Sequence, residues 1–126
     1  MSFVEVKSTI KTADTGAYSA GILVNGWLYI SGQGPLDLKS GAVISGSIEE
    51  ETILTLSHIR EIVKAAGGTM ENIVKCTVHL SDINDFARFD KTYAAIFGAM
   101  KPARTTVQSV LSDGIKIEID AVAFIG

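Results

Sequence analysis

The sequence predicts a two-layer α+β domain: a six-stranded mixed sheet with two helices on one face. Three observations lead there. Six short apolar segments are bounded by turn residues, and two longer ones repeat every three to four residues. In chain order they read β-β-β-α-β-α-β-β. Two strand–helix–strand crossovers put both helices on the same face when each is right-handed and both run the same way across the sheet. A chain of 126 residues fits one domain, 1–126, with a usable core.

The first strand lies in FVEVKST, which alternates. SAGILVNGWLYISGQ holds the next two around Asn25-Gly26, a dipeptide suited to a type I′ hairpin turn. The Gly- and Ser-rich stretch SGQGPLDLKSGAVISG reads as a loop. From Ser47 the period changes. Ile53, Leu56, Ile59, Val63 and Ala66 form a helical stripe, Glu49, Glu50 and Glu51 favour its positive end, and Gly67-Gly68 stops it. NIVKCTVHL is a strand with Val74, Cys76, Val78 and Leu80 on one face. Ser81 or Asp82 caps a second helix with a stripe of Phe86, Phe89, Tyr93, Ile96 and Phe97, ending near Pro102. The last two strands flank a turn at Ser112-Asp113-Gly114. In the final strand Ile115, Ile117, Ile119, Ala121 and Ala123 share one side, and Lys116, Glu118, Asp120, Val122 and Phe124 the other. The second side turns apolar at one end. A partly apolar open sheet face is often covered by oligomerisation.

Composition removes several classes. Hydrophobic residues make up 47 % and charged ones 20 %, which argues against disorder. A net charge of −3, a pI near 5.3 and no Lys/Arg cluster argue against a nucleic-acid partner. A single cysteine, Cys76, excludes an internal disulfide framework and reads as a small core residue. The first residues lack a signal-peptide pattern, and no apolar run reaches the ~18 residues of a membrane span. The expectation is a cytoplasmic protein with no membrane partner; a processed organelle protein would have the same look.

His58 and His79 have no ligand set at metal spacing, so no metal is expected. SGQGP lacks the spacing of a phosphate or dinucleotide loop, although its backbone N–H groups suit a small anion. Arg104 and Glu118 stand out, each in a segment that is otherwise core-like. They form either a structural ion pair or the two ends of a site. Paired as a hairpin, the last two strands would put Glu118 opposite Gln108 and leave Arg104 about 13 Å along the ladder. That is too far for an ion pair, so the two would grip opposite ends of a small molecule or meet across a subunit boundary. A guanidinium matches a carboxylate through two parallel hydrogen bonds. A carboxylate in a partly dry pocket orients or deprotonates water. Together they point to hydrolysis of a small carboxylate-bearing substrate.

GAYS, YISGQGP, AAGGTMENIVKCTVHLSDINDF, PART and KIEIDAVA occur in an order and spacing that resemble the RidA (YjgF) family over almost the whole chain. The resemblance implies a fold like that of the trimeric chorismate mutases, with three ligand sites between subunits of a homotrimer. It implies hydrolytic deamination of reactive 2-enamine and 2-imine acids, such as 2-aminoacrylate, 2-iminopropanoate and 2-iminobutanoate, to 2-oxo acids and ammonia, with no cofactor or metal. By position it makes Arg104 the holder of the substrate carboxylate and Glu118 the activator of water. Tyr18, Ser31 and Gly32 would line the site, with Thr106 and Asp90 as further substrate contacts. Three positions depart from the family pattern: Ala17 stands for a usual proline, Thr106 for a cysteine and Asp90 for an asparagine. A carboxylate at 90 bears on substrate range, because it only accepts hydrogen bonds. Two other readings remain: a binding or regulatory protein that holds a small carboxylate without turning it over, and an RNA-cleaving protein. The charge balance disfavours the second.

Overall fold

The computed structural model describes residues 2–126. Six strands form one sheet: β1 (Val4–Val6), β2 (Gly21–Val24), β3 (Trp27–Gln33), β4 (Ile73–Leu80), β5 (Ala103–Gln108) and β6 (Ile117–Phe124). Two helices, α1 (Ile48–Ala65) and α2 (Phe86–Phe97), complete the fold. The sheet order is β1-β2-β3-β6-β4-β5, with only the β4–β5 pair parallel. From β3 through α1 to β4, and from β4 through α2 to β5, the chain steps in the same direction across the sheet. Both helices therefore share one face, as the element order predicts.

Local chemistry sets the elements. Asn25 and Gly26 both take positive φ (51° and 81°), the backbone a type I′ hairpin requires. A capping box starts α1: Ser47 Oγ accepts from Glu50 N (3.1 Å) and Glu50 Oε1 accepts from Ser47 N (2.9 Å). Asp82 caps a short 3₁₀ turn, Ile83–Asp85, that leads into α2. Gly98 ends α2 with φ 68°, ahead of Pro102.

The core lies between the sheet and the helices, and it includes Leu28, Ile59, Val63, Cys76, Val78, Phe89, Ile117 and Ile119. Three predicted stripes need correction; in α2 only Phe89 and Tyr93 are buried, while Phe86 and Ile96 are exposed. In α1 the buried face runs through Ile48, Leu56, Ile59, Ile62 and Val63, while Ile53 points to solvent. In β4 the apolar alternation fails at its first member. The register with β6 shifts between Ile73 and Lys75, which makes Val74 an extra residue, exposed, and turns Ile73 inward in its place. The expected loop at Ser31-Gly32-Gln33 is the end of β3, and the two last strands are not neighbours, because β4 and β6 pair and β5 lies beyond β4. The turn between them is a short 3₁₀ segment, Ser112–Gly114.

A buried carboxylate ties the layers together. Glu51 of α1 accepts hydrogen bonds from Lys116 N (2.8 Å), Lys116 Nζ (3.1 Å) and Gly46 N (3.2 Å). Removing the carboxylate would leave the two part-buried backbone donors short of a partner, at up to about 1–3 kcal/mol each, whereas the partly exposed Lys116 ammonium can turn to water. His58, also on α1 and buried, donates from Nε2 to the carbonyl of Leu36 (2.7 Å), which pins the loop after β3. Burial pushes the His58 pKa below its ordinary 6.5. The unfolded chain therefore takes up this proton first as pH falls. The His58 contribution is full above about pH 6.5 and is lost as pH drops toward the lowered folded value. Urea unfolding of the wild type should show stability falling across that window. His58→Gln should flatten the decline; an unchanged pH profile in the variant would remove His58 as its source.

Candidate functional site

The bulge in β3 makes one side of a cleft. Between Ile30, opposite Ala121, and Gln33, opposite Ile119, β3 spends three residues against two of β6. The extra residue lays Ser31-Gly32 over Glu118. A Cβ on Gly32 would stand 2.7 Å from Glu118 Oε2, so glycine is what lets the carboxylate lie there. The cleft, about 370 Å³, is lined by Tyr18, Ser31, Gly32, Gly34, Ile115 and Glu118, with Thr15 at its rim. Glu118 pairs with no cation among the described residues.

Polar contacts hold the lining in place. Ser31 Oγ donates to the carbonyl of Ser19 (2.6 Å), and Ser31 N donates to Ala20 O (2.9 Å). Lys11 Nζ donates to Thr15 Oγ1 (2.7 Å), which shares a 2.5 Å hydrogen bond with the Tyr18 hydroxyl. The Lys11 ammonium also sits 5.3 Å from the centre of the Tyr18 ring. This cleft joins a carboxylate, a phenol and hydroxyl groups, a set able to hold and deprotonate water.

Arg104 is elsewhere. It lies opposite Cys76 on β4, whereas Glu118 lies opposite His79. Cys76 and His79 are three residues apart, so strand alternation sends Arg104 to the helix face and Glu118 to the open face. Two strand spacings and three residues separate their Cα atoms by about 14 Å. Within one chain they neither pair nor enclose a common ligand, which excludes both the ion pair and the single-chain clamp.

The Arg104 guanidinium lies 5.5, 5.2 and 4.8 Å from the ring centres of Phe86, Phe89 and Tyr93 on α2. Its Nη1 is 2.8 Å from Asp90 Oδ1. Thr106 shares this face two residues on, with a buried hydroxyl that has no hydrogen-bond partner. The buried Tyr93 hydroxyl faces the Cys76 thiol without a well-formed hydrogen bond. Burial pushes the pKa of both groups up, which leaves them neutral. The predicted residues thus form two groups: Tyr18, Ser31, Gly32 and Glu118 in one, Arg104, Asp90 and Thr106 in the other.

Residues 9–125 match the family model described as Endoribonuclease L-PSP. The rat 2-iminobutanoate/2-iminopropanoate deaminase is 43 % identical over 124 residues, spanning 97 % of this chain and 90 % of its own. The chain belongs to the RidA (YjgF) family. A RutC family protein of Pyrococcus horikoshii is 42 % identical over 110 residues, 86 % of this chain and 87 % of its own. A Rid-family protein of Yersinia pestis superposes with a TM-score of 0.91 at 32 % identity, covering 98 % of this chain and all of that one. A structure of TdcF from E. coli, determined with bound serine, gives 0.89 at 28 % identity over 98 % of this chain and 99 % of its own.

Some features of this RidA-family site are not read from spacing. Thr15 lines the cleft, with Lys11 behind it, through a loop whose path no periodicity encodes. The aromatic box around Arg104 was visible only as a core stripe on α2. On the open face His79 Nδ1 bonds Ser109 Oγ (2.8 Å) and its Nε2 lies 3.7 Å from Asp120, beyond hydrogen-bond reach. The described residues hold no group of three or more His, Cys, Asp or Glu placed to bind a metal, and no helix among them is long and apolar enough to cross a membrane.

The contact at Gly32 is testable. Gly32→Ala should rotate the Glu118 carboxylate out of its position while the β3–β6 register stays intact. A crystal structure of the variant with Glu118 unmoved would show that the bulge does not set its place.

Proposed function

We propose that this protein hydrolyses 2-imino and 2-enamino acids, among them 2-iminobutanoate and 2-iminopropanoate, to 2-oxo acids and ammonia, at sites shared between subunits of a homotrimer. The observation that carries the reading is the Glu118 carboxylate, paired with no cation among the described residues, in a cleft lined by Tyr18 and Ser31, in a chain over 40 % identical to deaminases of this name. The serine bound by TdcF, itself a small amino acid, adds support for a carboxylate-bearing ligand.

In this mechanism Arg104 takes the substrate carboxylate through its guanidinium edge. Glu118 accepts a proton from water as the oxygen attacks the imine carbon. Glu118 returns that proton to the carbinolamine nitrogen and then takes the hydroxyl proton as the C–N bond breaks, so that ammonia leaves and a carbonyl remains. Tyr18 and the Ser31-Gly32 segment contribute polar contacts around the water and the reacting carbon. No step requires a cofactor or a metal.

Because Arg104 and Glu118 face opposite sides of one sheet, the scheme needs a second copy to bring them together. The open face supports association: Trp27, Tyr29, Val107 and Phe124 are all exposed on it. The acidic charge argues against RNA as the substrate, although the matching family model is described as an endoribonuclease.

The direct test couples the protein to a dehydratase that releases the imine and traps what escapes with semicarbazide. The wild type should suppress semicarbazone formation, and Arg104→Ala and Glu118→Gln should each lose that suppression while remaining trimeric by light scattering. Mixing the two inactive variants under exchange should restore about a quarter of the activity, because random assembly leaves that share of interfaces intact on both sides. No suppression by the folded wild type would favour a carboxylate-binding protein without turnover. Inactive mixtures would sink the shared site.

A further inference from the structure

The Arg104 end of the site already holds a carboxylate. Asp90 Oδ1 lies 2.8 Å from Arg104 Nη1, and the two side chains are 49 % and 21 % exposed. The guanidinium cannot readily swing away from this partner, because three rings of α2 pack within 5.5 Å of its carbon. Aromatic rings of α2 crowd it and Asp90 takes one nitrogen, so an incoming ligand meets the N–H groups that are left. It also meets a pair whose charges cancel, rather than a bare cation.

We propose that Asp90 is the specificity-determining residue of this end of the site: it disfavours a lone carboxylate and favours an acid that carries a cationic nitrogen on the adjacent carbon. This rests on Arg104 being the carboxylate receptor. Two carboxylates on one guanidinium repel each other, and a half-exposed position screens that repulsion only in part. A protonated α-nitrogen sits one carbon from the ligand carboxylate and so comes within the ~4–6 Å over which an opposite charge is felt strongly. It offsets the repulsion by facing Asp90. The ligand class selected is therefore the zwitterionic α-amino or iminium acid.

The charge logic also separates substrate from product. A protonated imino acid carries the cation that Asp90 favours. Hydrolysis removes that cation as ammonia and leaves a 2-oxo acid with only its negative charge. The residue that admits the first species expels the second, so Asp90 would limit product inhibition.

A matched pair of ligands tests this by titration calorimetry: 2-aminobutanoate, with its ammonium group, and 2-oxobutanoate, with a carbonyl in its place. The wild type should bind the amino acid more tightly. Asp90→Asn keeps the size and should tighten 2-oxobutanoate about tenfold, the scale of one partly screened like-charge contact, and erase the preference. The variant should retain its fold, since Asp90 is half exposed; circular dichroism checks this. If Asp90→Asn leaves the ratio of affinities unchanged, or weakens both ligands alike, Asp90 only orients Arg104 and the proposal fails. Arg104→Ala separates the two levels: should it bind both ligands as the wild type does, the receptor role of Arg104 is wrong and the inference falls with it. It falls equally if folded wild type and Asp90→Asn bind neither ligand.

Discussion

The position of Glu118 depends on a buried acid on the helix side of the sheet. Glu51 holds the backbone N–H of Lys116, the residue just before β6, and the N–H of Gly46, just before the cap of α1. One carboxylate thereby fixes where the helix starts and where the central strand enters the sheet. Glu118 follows two residues later on the same strand, with its direction set by alternation. The Gly32 bulge then presses on it from the neighbouring strand. The reach of the carboxylate is thus determined by hydrogen bonds on one side of the sheet, although it opens on the other.

Much of the architecture was legible because it rests on local chemistry. Asn25-Gly26 announces a hairpin, the acidic run at 49–51 announces a helix start, and Pro102 marks an end. The errors share a cause. Ile53 and Val74 look like core by spacing, but whether an apolar residue is buried depends on which neighbour it meets, and a single extra residue in β4 turns Val74 outward. Likewise SGQ has loop composition and strand geometry, because a bulge needs the small, flexible residues that loops use. Strand order is non-local. Nothing between Ala103 and Phe124 tells the reader that β4 separates β5 from β6.

The candidate site was legible as residue types and not as geometry. An arginine and a glutamate in core-like segments drew attention by their chemistry alone. Their sidedness follows from register, which only pairing with β4 supplies. Once that is known, the two groups become separate clusters of opposite character. One is an acid, unpaired with any cation among the described residues, beside hydroxyl groups; the other is a cation crowded by aromatic rings and already neutralised by Asp90. Neither cluster is equipped alone for both gripping and attacking a small acid.

The place of β6 has a consequence for how the molecule comes together. This strand is the last in chain order, yet it lies in the middle of the sheet, between β3 and β4. Before it arrives, the β1–β2–β3 meander and the parallel β4–β5 pair each present an unsatisfied inner edge, with no direct bonding between them. Such edges are templates for wrong pairing, and the contacts that close them span much of the chain. During vectorial synthesis the two halves would wait, open, for a keystone made last, and errors of assembly should concentrate in that interval.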